Sequence, residues 1–262
     1  MNIFKAVADL EDQCVAGALC TIIEAKGSTP RHDSSKMLVK EDGSIVGTIG
    51  GGLIEQRVRS EALDAIVDGK SRRLAYNLVD PSSGDPGICG GTMEVFVEPI
   101  LPKPMLIIVG GGHVGKAVTS LGKWAGFFTV VNDDRPDFCT PEFNPDANKF
   151  IISKMEKIPE FIKITPYTYI ILTTRGSDVD IQGLGVLLPL PARYFGIIGS
   201  RRRWITTRKG LIDQGVPEEL LDRVHSPIGL ELHAETPEEI AVSIIAEVLM
   251  IKNGGTGSFM KL

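Results

Sequence analysis

No apolar stretch in this 262-residue chain approaches the ~20 residues needed to cross a bilayer, so no membrane-spanning helix is expected. A cationic, apolar leader is missing too. The opening MNIFKAVADLEDQ carries acids where a signal peptide carries basic residues, and it reads as an amphipathic helix. Cysteine is scarce: the four present (Cys14, Cys20, Cys89, Cys139) have neither CxxC spacing nor the density of a disulfide scaffold. No histidine or cysteine is spaced to complete a zinc site with Cys89. Cationic excess is also lacking, with 28 basic against 33 acidic residues and a formal charge of −5, which argues against a nucleic-acid or anionic-membrane partner. Internal repeats are absent. These absences leave a soluble, reduced, cytoplasmic protein, long enough for one large domain or two modest ones.

Two prolines bracket Lys103 in Leu101-Pro102-Lys103-Pro104 and discourage any continuous element there, so the chain divides at this point. Residues 1–101 read as a small α+β domain. Its elements are the Ile3–Phe4–Val7–Leu10 helix, a strand from Val15 to Glu24, and a hairpin across Asp42-Gly43. A helix from Leu53 to Val67 closed by Gly69 and an alternating strand from Thr92 to Ile100 complete it. Residues 105–253 alternate apolar runs (Met105–Val109, Phe127–Val131, Phe150–Ile152, Tyr169–Leu172, Tyr194–Ile198) with helix-compatible stretches. That is the pattern of a Rossmann-like, doubly wound parallel sheet in an α/β fold. Thr236, Pro237 and Glu239 predict a capping box opening the last helix, and residues 254–262 read as a loose tail.

The first of these runs feeds Gly110-x-Gly112-x-x-Gly115, and the second ends in Asp133 and Asp134, about the expected distance downstream for an acid at the next strand end. The first glycine allows the turn, the second lets a pyrophosphate approach, and the third lets helix and strand pack. The helix N-terminus then offers N–H groups to phosphates. His113, inside the loop, either caps a phosphate or is incidental.

Other segments carry candidate chemistry. Gly50, Gly51 and Gly52 precede a helix and form either a second anion cradle or a glycine-rich hairpin exit. Arg31 closes the turn-rich Gly27-Ser28-Thr29-Pro30-Arg31 and suits an oxyanion. Cys89 stands among glycines in Pro86–Gly91, where neighbours without side chains leave a thiolate accessible for reaction or metal ligation. Cys14 and Cys20 fall on an apolar segment and read as inert. Arg175 and the Gly199-Ser200-Arg201 turn follow two of the later strands, on the side where open α/β sheets bind ligands.

Taken in order, GSTPR (27–31), GTIGGGLIE (47–55), GICGG (87–91), VGGGHVGKA (109–117), NDDRPDF (132–138), YFGIIGSRRR (194–203) and AETPEEIAVSI (234–244) span nearly the whole chain. In these segments the chain resembles the XdhC/CoxI family, accessory proteins that handle the molybdenum cofactor for xanthine-dehydrogenase-type enzymes. It departs from the pattern at Arg175-Gly176-Ser177, where the family often has Arg-Gly-His, and at Leu232-His233, where smaller residues are common. The resemblance implies a chaperone, not an enzyme in the ordinary sense. It would bind molybdopterin, promote its sulfuration with a cysteine desulfurase, and insert it into a xanthine dehydrogenase-type molybdenum hydroxylase. The cofactor is anionic at its phosphate end, which suits glycine cradles and arginines, and carries a metal that suits a soft thiolate such as Cys89. Two separated glycine-rich sites around one ligand also suggest a homodimer. The rival readings are an NAD(P)-dependent oxidoreductase and a nucleotide-sensing Rossmann module. The first lacks a Tyr-x-x-x-Lys pair, and the second leaves Gly50–Gly52 and Cys89 without a purpose.

Overall fold

The computed structural model describes residues 2–13, 15–77 and 90–260, which fall into two compact units, Met1–Pro102 and Lys103–Leu262. In the first unit, helix α1 (Ile3–Gln13) is followed by strands β1 (Gly17–Lys26), β2 (Lys36–Lys40) and β3 (Ile45–Gly47). Helix α2 (Gly52–Asp68) and strands β4 (Arg72–Asn77) and β5 (Thr92–Ile100) complete it. The five strands form one antiparallel sheet in the order β3-β2-β1-β5-β4. The apolar stripe of α1 explains its docking: Ala6 and Leu10 are buried with Leu38 and Val46 of the β2–β3 hairpin. Strand β4 has no counterpart among the sequence-read elements. It is an edge strand of the sequence RRLAYN with no fully buried position, so little apolar alternation marks it.

The second unit begins with β6 (Met105–Val109), α3 (His113–Trp124), β7 (Phe128–Asp133) and β8 (Lys149–Ile152). It continues through α4 (Ile158–Phe161), β9 (Thr168–Leu172), α5 (Ser177–Leu187), β10 (Tyr194–Ile197), α6 (Arg201–Asp213) and α7 (Glu218–Leu221). Strand β11 (Val224–His225) and helix α8 (Pro237–Asn253) close it. All six strands are parallel, in the order β11-β10-β9-β6-β7-β8. This is the Rossmann-like sheet expected, extended by the two-residue β11, too short to leave a pattern in the sequence. Both faces are covered. Met105, Ile107 and Val109 point to one layer with Leu184, Leu187 and Leu211 of α5 and α6. Leu106 and Ile108 point to the other, with Val118 of α3 and Ile244 and Val248 of α8. The two-residue period of a strand thus divides one apolar run between two cores, each such side chain contributing about 1.5–3 kcal/mol. The capping box opens α8 as read, with the Thr236 hydroxyl accepting from the Glu239 N–H and the Glu239 carboxylate accepting from the Thr236 N–H.

Helix α8 is tied to the sheet by the buried carboxylate of Glu247. It accepts from the Tyr194 hydroxyl at 2.9 Å and the Gly229 N–H at 2.5 Å, and lies 2.7 Å from His225 Nδ1. Burial alone would raise this carboxyl, but the hydrogen bonds from His225, Gly229 and Tyr194 outweigh it and hold the group below the ordinary carboxylate range. A carboxyl depressed on folding contributes stability above its unfolded pKa, about 4.3, and loses it as pH falls through the folded value. Glu247→Gln is therefore expected to flatten the fall in Tm between about pH 5 and pH 3 relative to the parent. Parallel Tm-against-pH curves for the two proteins would refute this.

Candidate functional site

Three glycine-bearing segments of the first unit meet at one corner. Gly91 lies so close to the β1 exit that a Cβ there would stand 2.4 Å from the Lys26 carbonyl oxygen and 2.6 Å from that of Ser28. Only glycine permits this approach. Gly90 forms a parallel bridge with Ser28, in the same turn that ends in Arg31. On its other side the turn touches the cradle, since a Cβ on Gly50 would lie 2.7 Å from Pro30 Cβ. Arg31 is exposed and, among the described residues, makes no ion pair. Its guanidinium is available to an anion. Cys89, which precedes Gly90 in the chain, lies outside the described residues, as does Cys14. Cys20 is fully buried in β1, and burial pushes its thiol up to about 12, which makes it unreactive.

The Gly50–Gly52 cradle already holds an anion of its own. The Glu55 carboxylate, one turn into α2, accepts from the N–H groups of Ile49 and Gly51 at 3.2 Å and from the Thr48 hydroxyl at 2.5 Å. Two donors that would face a phosphate are thereby engaged. An acid three residues after a glycine run is a legible sequence signal for such self-capping.

In the second unit the glycine loop sits where chain order reverses across the sheet, at the carboxyl ends of β6 and β9, the position at which open α/β sheets take ligands. Gly110 donates to the Asn132 carbonyl at 2.7 Å, and Gly112 begins α3 with no side-chain cap, so the first N–H groups of that helix face outward unbonded by the chain's own side chains. His113 is exposed and meets Phe143 edge-on at 6.0 Å, a packing contact beside the loop.

The two strand-end acids differ in kind. Asp133 is buried and receives four hydrogen bonds: Gly111 N–H at 2.9 Å, and the Arg135 N–H, Nε and Nη2 at 3.0, 2.9 and 2.8 Å. Asp134 is exposed and pairs bidentately with Arg175, both distances 2.9 Å. The Arg175 guanidinium holds the Asp134 carboxyl below the usual carboxylate range. Both acids border a solvent-open cleft of about 530 Å³, walled further by Arg135, Lys154, Thr174 and Gln182.

Arg175 and Arg201, both assigned to the ligand side from the sequence, fall in separate clefts. Arg201 borders a second one of about 840 Å³, lined by Ile228–Ala234 and Ser243. Gly199 turns the chain there and the Ser200 hydroxyl caps α6 by accepting from the Arg203 N–H at 3.2 Å, so that side chain serves the helix. Arg203, the last arginine of the Gly199–Arg203 segment, is not turned to a ligand but spans from α6 to the fully buried Asp180 (2.7 and 3.1 Å) and to Thr174, whose hydroxyl also bonds Asp180. It props the segment that presents Arg175.

Comparison with known proteins places this geometry. Residues 106–248 match the model of the XdhC Rossmann domain, and residues 11–77 match that of the XdhC and CoxI family. The chain is 38% identical to the Escherichia coli protein YqeB over 99% of its own length, and spans about half (48%) of that relative. It is 20% identical, over 89% of its length and 83% of the relative's, to the Escherichia coli molybdenum cofactor insertion chaperone PaoD. A crystal structure of a xanthine dehydrogenase from Bacillus halodurans matches 98% of this chain and 97% of that one, with a TM-score of 0.52 and 25% identity. Among the described residues no helix is long and apolar enough to cross a membrane.

Proposed function

This chain belongs to the XdhC and CoxI family, and from that membership and its two glycine-rich regions we propose that it is a molybdenum-cofactor-binding accessory factor. It binds the cofactor, supports its sulfuration by a cysteine desulfurase, and passes it to a molybdenum hydroxylase of the xanthine dehydrogenase type. The name of one relative, a cofactor insertion chaperone, supports this reading. The observation that carries it is the corner of the first unit, where the Gly27–Arg31 turn, the Gly50–Gly52 cradle and Gly90 are brought together. A plain nucleotide module has no use for such a corner.

On this reading Cys89 supplies a soft thiolate for the metal, and Arg31 supplies charge to the anionic cofactor. The glycine loop of the second unit, where Gly112, His113 and Gly115 open α3, offers backbone N–H groups to a phosphate. Because Glu55 already engages the Gly51 N–H, Gly50 acts by letting the chain approach Pro30 rather than by cradling phosphate.

The test is anaerobic binding of molybdenum cofactor to the purified protein, read by pterin fluorescence and metal content. Wild type is expected to bind near-stoichiometrically, and Cys89→Ser to weaken retention about 10–100-fold, the scale on which metal sites lose affinity when a supporting group goes. Unchanged retention and unchanged activation of the hydroxylase in Cys89→Ser would remove the thiol from the mechanism. No cofactor binding by wild type would remove the function itself.

A further inference from the structure

We propose that the cleft beside Arg201 is the seam of a symmetric dimer, in which the start of α6 in one copy meets the segment leading into α8 in the other. The occupant of this surface is thus a second copy of the same chain. The inference stands apart from the cofactor reading, and each can fail without the other.

The fold leaves charges of opposite sign unmatched on the two banks of this cleft. On one bank α6 opens with three arginines. Arg203 turns inward to Asp180, and Arg208 further along is met by Glu218 and Asp222. Arg201, on the cleft wall, and Arg202 are exposed and have no carboxylate within 4.0 Å among the described residues. On the other bank Ala234 and Ile240 line the cleft, and the chain between them carries Glu235 and Glu238. Both acids are exposed, and neither makes an ion pair among the described residues. Their neighbours are already engaged: Glu239 closes the capping box, and Glu231 lies 3.3 Å from His233 Nδ1.

Apolar side chains stand exposed beside each set of charges. Ile205, one turn after Arg201, is 67% exposed, and Leu232 on the cleft wall is 51% exposed. The wall that carries Leu232 is anchored. Ile228 donates its N–H to the Ile197 carbonyl at 3.1 Å, Leu230 donates to the Ser243 carbonyl at 3.2 Å, and the Leu230 carbonyl accepts from the Ser243 hydroxyl. A single exposed isoleucine needs no explanation. A basic, apolar bank facing an acidic, apolar bank across one cleft is a self-complementary surface.

Within one copy the banks cannot close on each other, because α6 packs on one face of the sheet and α8 on the other. A two-fold axis through the cleft resolves this. It sets Arg201 and Arg202 of one protomer against Glu235 and Glu238 of its partner, and repeats the contact in reverse. The same rotation covers Ile205 with Leu232. Each copy carries a net charge of −5, but that repulsion is screened beyond about 8 Å at physiological salt, so the local pairing decides. The charge pairs fix the register, and the apolar contact adds to the attraction.

The test is sedimentation equilibrium of the full chain, alone and in mixtures of two charge-reversed variants. Wild type is expected to show a monomer–dimer equilibrium at micromolar concentrations that weakens as salt is raised. Arg201→Glu with Arg202→Glu sets acid against acid across the seam, and Glu235→Lys with Glu238→Lys sets base against base. Each double variant alone is expected to dimerise at least about tenfold more weakly, because like charges then face each other. Mixed in equal amounts, the two are expected to regain association near the wild-type strength, since both contacts of the mixed dimer are again of opposite sign. A variant that had merely misfolded would not be rescued by the other. Wild type that stays monomeric throughout the micromolar range overturns the proposal. So does a dimer that both variants leave unchanged, or one that the mixture fails to restore.

Discussion

Gly115→Ala is expected to cost about 3 kcal/mol or more and to lower Tm by roughly 6–12 °C, the scale of an unrelieved core clash in a unit of this size. The added Cβ would stand 1.9 Å from the Gly110 carbonyl oxygen and 3.0 Å from Thr173 Oγ1. The helical backbone at 115 is not the obstacle; the facing carbonyl is. That carbonyl cannot retreat, because it accepts from the Thr173 hydroxyl at 2.6 Å while Gly110 and Gly111 donate to Asn132 and Asp133. Gly112→Ala makes an informative partner. No atom lies within 4 Å of a Cβ at that position, so stability should change by less than about 0.5 kcal/mol. That same Cβ would stand at the uncapped start of α3, so binding of the phosphate end of the proposed cofactor should weaken in a protein that still folds. Thermal denaturation and calorimetry on both variants check this. A Gly115→Ala protein as stable as the parent would mean that the glycine loop is far less constrained than its hydrogen bonds imply.

Arg203→Ala is the second large effect, expected to destabilise the chain by about 3–5 kcal/mol in urea denaturation. Asp180 has no exposed surface, and Arg203 provides the cation that offsets its charge, through Nε and Nη2. Removing the arginine strands a buried carboxylate, a more costly change than losing an exposed pair such as Asp134–Arg175. Asp180→Asn placed in the Arg203→Ala background is expected to recover part of the loss, because it removes the stranded charge. A single-variant effect below about 1 kcal/mol, or no recovery in the double variant, would show that the buried pair is not what secures α6. Arg203 also donates to the carbonyl and hydroxyl of Thr174, so the variant should loosen the segment presenting Arg175 before the sheet itself melts.

Most of the architecture was written in local patterns. Apolar runs marked β6, β9 and β10 because strands buried on both faces need apolar residues at nearly every position. Thr236-Pro237-x-Glu239 marked the start of α8 because its capping bonds close within four residues. The strands that left no trace, β4 and β11, lie at sheet edges, where one partner and a half-exposed face place little demand on side-chain type.

The candidate site divides along a similar line. The sequence by itself determined where an anion could meet backbone N–H groups, because a glycine run entering a helix is a contiguous feature. It also marked Asp133, Asp134, Arg31 and Arg175 as the charges concerned. Only the tertiary structure decided which of those charges remain open to a ligand. Asp133 is saturated by Gly111 and Arg135, the Gly51 N–H is engaged by Glu55, and Arg175 and Arg201 stand in different clefts. Those outcomes depend on pairs separated by up to 41 residues, as Asp134 and Arg175 are, and on counts of lone pairs at single atoms. A pattern along the chain names the groups that can bind. Their availability is set by what else the fold brings within 3 Å of them, since a carboxylate or N–H group has few bonding positions and the folded chain takes the nearest first.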